Sequence, residues 1–223
     1  MSQKILVAGS GKSGIAASGL ILKTGNEVIL YDSNENLDRE ALLSNFQEGS
    51  PVTVLLGELT LLKDVTLCVI SPGIDLDTAF VQVIKDQEIP IWSEIQLAYH
   101  YAKGKLAAIT GTNGKTTTTA LTGEIMKAYY REVFVVGNIG TPYTLEALNT
   151  TEESVTVAEI SSFQLESITD FRPDVSAILN ITPDHLNRHK TMDCYIKVKE
   201  SITANQTEKD TCILNYDDEV LRE

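Results

Sequence analysis

Short apolar segments alternate with longer amphipathic segments along most of the chain. The apolar segments are rich in Val and Ile and are apolar throughout, which is typical of strands that helices cover on both faces. Strands are predicted at residues 4–8, 27–31, 67–70, 106–110, 133–136, 156–160, 175–181 and 211–214. Helical spacing between strands occurs at residues 13–24, 116–129 and 192–205. This alternation predicts an α/β fold with parallel sheets.

The pattern restarts near residues 89–94, where a domain boundary is expected. A short strand at residues 90–92 is followed by Ser93, a predicted N-cap, and by a helix that extends to about Ala102. We therefore predict one domain at residues 1–93 and a second at residues 94–223. After the strand at 211–214 only a partial helical turn follows, so the second sheet is expected to be incomplete.

Composition excludes several classes of protein. The formal net charge of −13 argues against a nucleic-acid-binding surface, because such a surface needs clustered Lys and Arg. The three cysteines, Cys68, Cys194 and Cys212, are odd in number and lack CxxC spacing, which favours free thiols over a disulfide framework or a zinc site. No signal peptide or segment of membrane-spanning length is evident, so a cytoplasmic protein without membrane insertion is expected.

The first glycine-rich loop, residues 9–14, fits the GxGxxG pattern between a predicted strand and a predicted helix. Its backbone and the helix N-terminus favour a pyrophosphate, and Asp32 at the end of the next strand can accept hydrogen bonds from ribose hydroxyls. A second loop, residues 71–74, could close over the same ligand. These features suit any nucleoside diphosphate, so an NAD-dependent oxidoreductase and a glycine turn without a ligand both stay open.

The second glycine-rich loop, residues 110–117, has the sequence Thr-Gly-Thr-Asn-Gly-Lys-Thr-Thr. Its glycines lie closer together than in the common P-loop, yet the physics is the same. Successive backbone amides can hold phosphates, Lys115 can neutralise the outer phosphates, and the Thr116 hydroxyl can ligate Mg²⁺. Two phosphate loops on two sheets indicate two nucleotides, and hydride transfer does not require the second.

Three further side chains are candidates for chemistry near the second loop. Glu159 lies in an apolar strand, where an unpaired carboxylate is costly, so either Mg²⁺ or helix amides should accompany it. Residues 182–189 form a polar loop with two histidines, which are usually solvated in such loops. Lys199, on a predicted helix, is interpreted from composition alone as a surface charge.

Residues 110–117 resemble the signature of the Mur ligase family, ATP-dependent amide-forming enzymes of peptidoglycan synthesis. Residues 137–140, 161–166 and 184–189 resemble the branch that adds D-glutamate to UDP-N-acetylmuramoyl-L-alanine. The resemblance covers essentially the whole chain and implies that ATP phosphorylates the alanyl carboxylate before the D-glutamate amine attacks. Family members add a C-terminal domain, so this chain alone is expected to be inactive; a monomer is expected.

The resemblance also implies roles for individual residues. The uridine diphosphate would contact Ser10, Gly11, Lys12, Ser13, Asp32, Ser33 and Gly73, and the muramoyl-alanine end would contact Asn138, Ser161 and Gln164. ATP would bind Gly111, Thr112, Asn113, Gly114, Lys115, Thr116 and Thr117. Thr116 would hold one Mg²⁺, and Glu159, His185 and Lys199 would serve a second. The catalytic set would be Lys115, His185 and Lys199, with Lys199 carbamylated, because an ammonium cannot ligate a cation.

Alternatives within related classes remain. A ligase for another amino acid or a folylpolyglutamate synthase would share the compact loop but not residues 161–166. A UDP-sugar-binding module without catalysis is a further interpretation of this chain.

Overall fold

The computed structural model describes residues 2–138 and 140–222, and its fold is built on two parallel sheets. Ile139, within the segment 137–140, lies outside the described residues. The strands of the first sheet are β1 (Lys4–Ala8), β2 (Glu27–Asp32), β3 (Val52–Leu56), β4 (Val65–Ile70) and β5 (Ile91–Ser93), in the order β3-β2-β1-β4-β5. Every pair in this sheet is parallel, as predicted for an α/β fold.

The second sheet is also parallel throughout its described pairs. Its strands are β6 (Lys105–Thr110), β7 (Val133–Gly137), β8 (Val155–Glu159), β9 (Val175–Ile178) and β10 (Thr211–Leu214), in the order β10-β9-β6-β8-β7. All five residues of β8 are buried, whereas all four of the edge strand β10 are exposed. The expectation of strands covered on both faces is therefore met at the centre of this sheet and not at this edge.

Ten helices connect the strands in the described part of the chain. They are α1 (Lys12–Lys23), α2 (Arg39–Leu43), α3 (Ala79–Asp86), α4 (Glu94–Tyr101), α5 (Lys115–Lys127), α6 (Tyr143–Glu146), α7 (Ser162–Leu165), α8 (Leu186–His189), α9 (Met192–Glu200) and α10 (Glu219–Arg222). Two short 3-10 turns lie at Ala147–Asn149 and Ser201–Thr203. Within residues 2–138 and 140–222, none of the helices has the length and apolar character that a membrane span requires.

The core is continuous between the two sheets. Helix α4 follows directly after β5 and packs against both α1 and α6. Its buried Ile95, Leu97 and Ala98 belong to the same apolar cluster as residues from both sheets. Ser93 caps this helix as predicted, since its hydroxyl accepts a hydrogen bond from the Gln96 amide at 3.3 Å. The first sheet thus ends where the predicted boundary lies.

Two predicted elements end earlier than the sequence pattern indicated. The strand predicted at 175–181 ends at Ile178, because the Asn180 side chain turns away to bond the loop after β6. The helix predicted at 192–205 ends at Glu200, where Ser201 and Thr203 hydroxyls bond back to carbonyl oxygens and compete with helix geometry. Strand β3 and the helices α2, α3, α6, α7 and α8 were not predicted.

Candidate functional site

The first candidate site lies at the carboxyl end of the first sheet. Strands β1 and β4 are neighbours, but β2 and β3 extend to one side of β1 and β5 lies on the other side of β4. The loops after β1 and β4 therefore leave the sheet in different directions and open a crevice, the place where ligands bind in open α/β sheets. Residues 9–11 and residues 71–74 are these two loops, and they contact each other at Gly9 and Ser71.

Close backbone packing explains why the first loop needs glycine at two positions. Gly9 has a φ of +100°, and a Cβ there would lie 2.6 Å from the Ser71 hydroxyl oxygen. A Cβ on Gly14, in the first turn of α1, would lie 1.8 Å from the carbonyl oxygen of Gly9. By contrast, Gly11 has no atom within 4 Å of such a Cβ. The loop is thus folded tightly against the start of its helix.

Substitution of Gly14 by alanine is expected to destabilise the chain by at least about 2 kcal/mol, because a backbone oxygen has to move to admit the methyl group. Gly11→Ala is the matched control and should change the free energy of unfolding by less than about 1 kcal/mol. Urea denaturation of the three proteins measures both values. Equal stability of the Gly14 and Gly11 variants would contradict the packing described for this loop.

Asp32 is tied to the first glycine loop. Its carboxylate accepts hydrogen bonds from the Ser10 hydroxyl at 2.6 Å and from the Ser10 amide at 3.0 Å. Burial acts to raise the pKa of Asp32, but the hydrogen bonds from Ser10 and Asn34 outweigh burial and lower that pKa. Ser33 and Gly73 are exposed beside the same crevice. The structure thus brings Ser10 and Asp32 together as an ionised, preorganised acceptor at the strand ends.

The second candidate site lies at the carboxyl end of the second sheet. Strand β6 is between β8 and β9, and its following loop enters α5 at Gly114, which has a φ of +82°. Asn180, just after β9, accepts hydrogen bonds from the Thr112 amide at 3.1 Å and the Asn113 amide at 2.8 Å. Its own amide donates to the Asn113 carbonyl oxygen at 3.0 Å. Asn180 therefore shapes the loop, a role that the sequence did not predict.

Two lysines meet at one carbonyl oxygen of this loop. Lys115 Nζ donates to the Gly111 oxygen at 3.0 Å, and Lys199 Nζ donates to the same atom at 2.8 Å. Lys199 is only 1% exposed, so its interpretation as a surface charge is wrong. Burial, together with the positive charge of Lys115, lowers the pKa of Lys199 to about 7. Lys199 is therefore largely a neutral amine slightly above neutral pH.

Glu159 lies beside the start of the same loop. The sheet register pairs it with Ile109 on β6, and the side chain is 2% exposed. Among the described residues, its carboxylate accepts one side-chain hydrogen bond, from Asn138 Nδ2 at 3.2 Å. A buried carboxylate with so few donors suits a cation. Within residues 2–138 and 140–222, no three His, Cys, Asp or Glu side chains cluster as metal ligands, so Glu159 needs other donors.

The two histidines of the loop at 182–189 differ in environment. His185 is half exposed and has a φ of +51°, and its ring packs against the Phe163 ring with the centroids 4.8 Å apart and the planes tilted by 53°. His189 is buried, and its Nε2 lies 2.9 Å from the Ser162 hydroxyl. Burial, reinforced by the charge of Arg188, lowers the pKa of His189. The expectation that loop histidines are solvated therefore holds for His185 and is wrong for His189.

A buried carboxylate orients the predicted substrate-contacting residues Ser161 and Gln164. Gln164 Oε1 accepts from the Ser161 amide at 2.9 Å, while Gln164 Nε2 donates to Glu94 Oε2 at 3.3 Å. Glu94 also accepts from the Thr144 amide and hydroxyl at 3.2 and 3.0 Å. Because a carboxylate can only accept, Glu94 fixes which end of the Gln164 amide faces Ser161. Burial raises the pKa of Glu94.

Two protein-family models match this chain. The family model described as "Mur ligase middle domain" matches residues 109–223, more than half of the chain. The chain belongs to the Mur ligase family. A second family model, "Mur ligase MurD-like, N-terminal domain", matches residues 3–93 of this Mur ligase chain.

Similar curated proteins carry one name. This Mur ligase chain is 56% identical to the UDP-N-acetylmuramoylalanine--D-glutamate ligase of Lachnoclostridium phytofermentans, over 100% of the chain and 49% of that relative. It is 54% identical to the ligase of the same name from Lachnospira eligens, over 99% of the chain and 49% of that relative. The chain therefore spans about half the length of the curated relatives it matches.

Solved Mur ligase structures share its fold. One is the UDP-N-acetylmuramate:L-alanyl-gamma-D-glutamyl-meso-diaminopimelate ligase from Neisseria meningitides, with a TM-score of 0.64 and 15% identity over 100% of this chain and 74% of that one. Another is a murein peptide ligase from Psychrobacter arcticus, with a TM-score of 0.58 and 16% identity over 99% of this chain and 50% of that one. At these identities the likeness shows the fold alone, and it agrees with the predicted α/β class.

The first glycine loop of this Mur ligase chain contacts the segment that follows β7, which lies beside the second site. Lys12, in the first glycine loop, donates from Nζ to the Gly140 carbonyl oxygen at 2.6 Å. Gly140 belongs to the segment after β7, whose Asn138 bonds Glu159 near the second loop. The structure thus places Lys12 and Asn138, which were both predicted to contact the UDP-linked substrate, on loops that contact each other. Asn180 and Glu94 were missed, and Arg188 was quoted in a motif without a role.

Proposed function

We propose that the whole protein is an ATP-dependent ligase that adds D-glutamate to UDP-N-acetylmuramoyl-L-alanine. In this proposal residues 1–93 bind the UDP end and residues 94–223 form part of the ATP domain. The observation that carries it is the contact of Lys12, in the first phosphate loop, with the Gly140 carbonyl oxygen, because Gly140 lies in the segment whose Asn138 bonds Glu159 beside the second loop. The names of the half-length relatives support the identity of the substrates.

The first loop supplies the UDP site in this proposal. Amides at the start of α1 receive the pyrophosphate, and the ionised Asp32 accepts from ribose hydroxyls in exchange for one of its Ser10 bonds. In this proposal Ser10 to Ser13, Ser33 and Gly73 contact the uridine diphosphate. Asn138, Ser161 and Gln164 face the muramoyl-alanine end, and Glu94 orients Gln164, which in turn bonds Ser161. The alanyl carboxylate is thereby directed toward the second loop.

The second loop supplies the ATP site. Residues 111–117 hold the phosphates, and Lys115 turns from the Gly111 carbonyl to the transferring group. In the reaction, the alanyl carboxylate oxygen bonds the γ-phosphorus as the bond to ADP breaks. The D-glutamate amine then attacks the acyl phosphate, loses a proton, and expels inorganic phosphate. Magnesium, when bound by Thr116, Glu159 and His185, neutralises phosphate charge.

Lys199 joins the second magnesium site as a carbamate. Its neutral amine attacks carbon dioxide, a nitrogen–carbon bond forms, and the lost proton goes to water, which leaves an anionic oxygen donor. The lowered pKa of Lys199, caused by burial and by Lys115, makes the neutral amine available at mildly alkaline pH. The resulting anion is also attracted by the Lys115 ammonium, which repels the protonated form of Lys199 at the Gly111 oxygen.

We expect ¹³C NMR of this chain in ¹³C-bicarbonate with Mg²⁺ to show one carbamate resonance. Because the modification needs the buried amine of Lys199, the resonance should be absent in Lys199→Met. Lys197→Met, an exposed lysine of the same helix, is the control and should retain it. An equal signal in both variants would contradict modification of Lys199.

The ligase assignment is tested by phosphate release from the whole protein. Release should require ATP, UDP-N-acetylmuramoyl-L-alanine and D-glutamate together, and L-glutamate should not replace D-glutamate. Preference for another amino acid would instead favour a sister ligase. Ligation by residues 1–223 alone would contradict the expectation that the remaining half of the relatives' length is needed.

A further inference from the structure

Arg188 links the loop after β4 to the loop that carries His185. Its Nη1 donates to the Pro72 carbonyl oxygen at 3.1 Å, and its Nη2 donates to the Ile74 carbonyl oxygen at 2.7 Å. These two carbonyl groups flank Gly73, which the proposed function places against the UDP ligand. One guanidinium group therefore spans both sides of a ligand-contacting position that lies on the other sheet.

Glu166 holds this guanidinium group in place. Arg188 Nε lies 3.1 Å from both carboxylate oxygens of Glu166, and Nη2 contacts Oε2 of the same carboxylate. The side chains of Arg188 and Glu166 are 10% and 12% exposed, so the pair is shielded from water. Arginine suits this position because its planar fork can serve a carboxylate and two carbonyl oxygens simultaneously, whereas a lysine ammonium cannot match that geometry.

The same arginine is packed against the predicted metal-binding loop. The Arg188 guanidinium carbon lies 4.4 Å from the centre of the Phe163 ring, and the centroid of the tilted His185 ring lies 4.8 Å from the same centre. The Arg188 amide also donates to the His185 carbonyl oxygen at 2.9 Å. A displacement of residues 72–74 would therefore be transmitted through Arg188 to Phe163 and His185.

We propose that Arg188 is a positioning residue that couples the UDP site to the ATP site. The inference rests on the proposed function, because it takes Gly73 as a UDP contact and His185 as a ligand of the second site. A ligand bound at the first site fixes residues 72–74. Arg188, which bonds these residues, is then fixed as well, and it holds the His185 loop in the conformation that the second site requires. Coupling is reciprocal, so ATP binding tightens the UDP ligand by the same factor.

The test measures the dissociation constant of UDP-N-acetylmuramoyl-L-alanine on the whole protein, with and without a non-hydrolysable ATP analogue and Mg²⁺. In the unvaried protein the analogue should tighten binding by at least about fivefold. Arg188→Lys should weaken binding about tenfold and bring that factor close to one. Glu166→Gln, which keeps the shape of the side chain, should reduce the factor as well.

Arg172→Lys is the matched control, because Arg172 pairs with Asp210 at 2.8 Å and neither residue belongs to the two loops. It should leave both the affinity and the coupling factor unchanged. If Arg188→Lys lowers affinity but keeps the coupling factor, or behaves like Arg172→Lys, the inference is overturned while the proposed function stands. If the unvaried protein does not bind the UDP ligand at all, the proposed function itself fails.

Discussion

Replacement of Lys199 by methionine is expected to remove a steep rise in the stability of the chain at alkaline pH. In the unfolded chain this lysine keeps its proton up to the ordinary pKa of 10.5, whereas burial and Lys115 lower its pKa to about 7 in the folded chain. Between these values unfolding takes up a proton, so the free energy of unfolding rises with pH. One proton corresponds to about 1.4 kcal/mol per pH unit. Below about pH 7 both states hold the proton and the burial penalty applies in full.

The measurement is urea unfolding at several pH values between 7 and 10 in buffer without carbon dioxide, so that the amine stays unmodified. Lys197→Met serves as the control, because Lys197 lies on the same helix and is exposed. Lys197→Met should keep the pH dependence of the free energy of unfolding seen in the unvaried chain. In Lys199→Met the slope of that dependence should be lower by roughly the contribution of one proton. Identical slopes in the two variants would mean that Lys199 holds its proton when folded.

Replacement of Lys115 by methionine should lower the turnover of the whole protein by at least about 100-fold, since one preorganised cation is removed from the phosphoryl group in transfer. Its effect on the affinity for the UDP ligand should be negligible, because Lys115 is not among the residues predicted to contact that ligand. Initial rates and calorimetry on the same preparation separate the two effects. Lys127→Met, which alters a surface pair with Glu124 at the far end of α5, is the control.

The same substitution has a second consequence that the lysine pair predicts. Removing the charge of Lys115 removes one cause of the low pKa of Lys199, so the alkaline rise in stability should begin at a higher pH. If turnover were lost without this shift, the charge of Lys115 would not contribute to the low pKa of Lys199. If the alkaline rise in stability also began at a higher pH in Lys127→Met, the low pKa of Lys199 would be an effect of net charge and not of the proximity of Lys115.

The elements that could be predicted from the sequence are those in which burial requires a continuous run of apolar residues. Strands β1 and β8 were predicted because nearly every residue in them faces the core. Strand β3, an edge strand in which only Val54 is buried, was missed although four of its five residues are apolar. The end of β9 was missed because Asn180 leaves the sheet to bond a loop that precedes it by 67 residues.

At the candidate sites, the glycine loops were predicted from the sequence, whereas residues that act through distant contacts were not. Glycine loops are local signals, and Gly9–Gly14 and Gly111–Lys115 lie at strand ends as expected. Lys199 resembled a surface lysine because residue type on a helix does not reveal which loop the helix covers. The side-chain hydrogen bonds of Glu94 and Arg188 join residues 50 or more positions apart, except those between Arg188 and Glu166, which are 22 positions apart, and no spacing along the chain indicates such contacts.

The central claim is that the first crevice binds a UDP-linked substrate rather than a dinucleotide cofactor. Calorimetry on this chain should show one-to-one binding of UDP-N-acetylmuramoyl-L-alanine and no saturable binding of NAD⁺. Asp32→Ala should weaken the UDP ligand about tenfold, since it removes an ionised acceptor, while Asp86→Ala at the end of α3 should not. Binding of NAD⁺ that depends on Asp32, with no binding of the UDP ligand, would contradict the account.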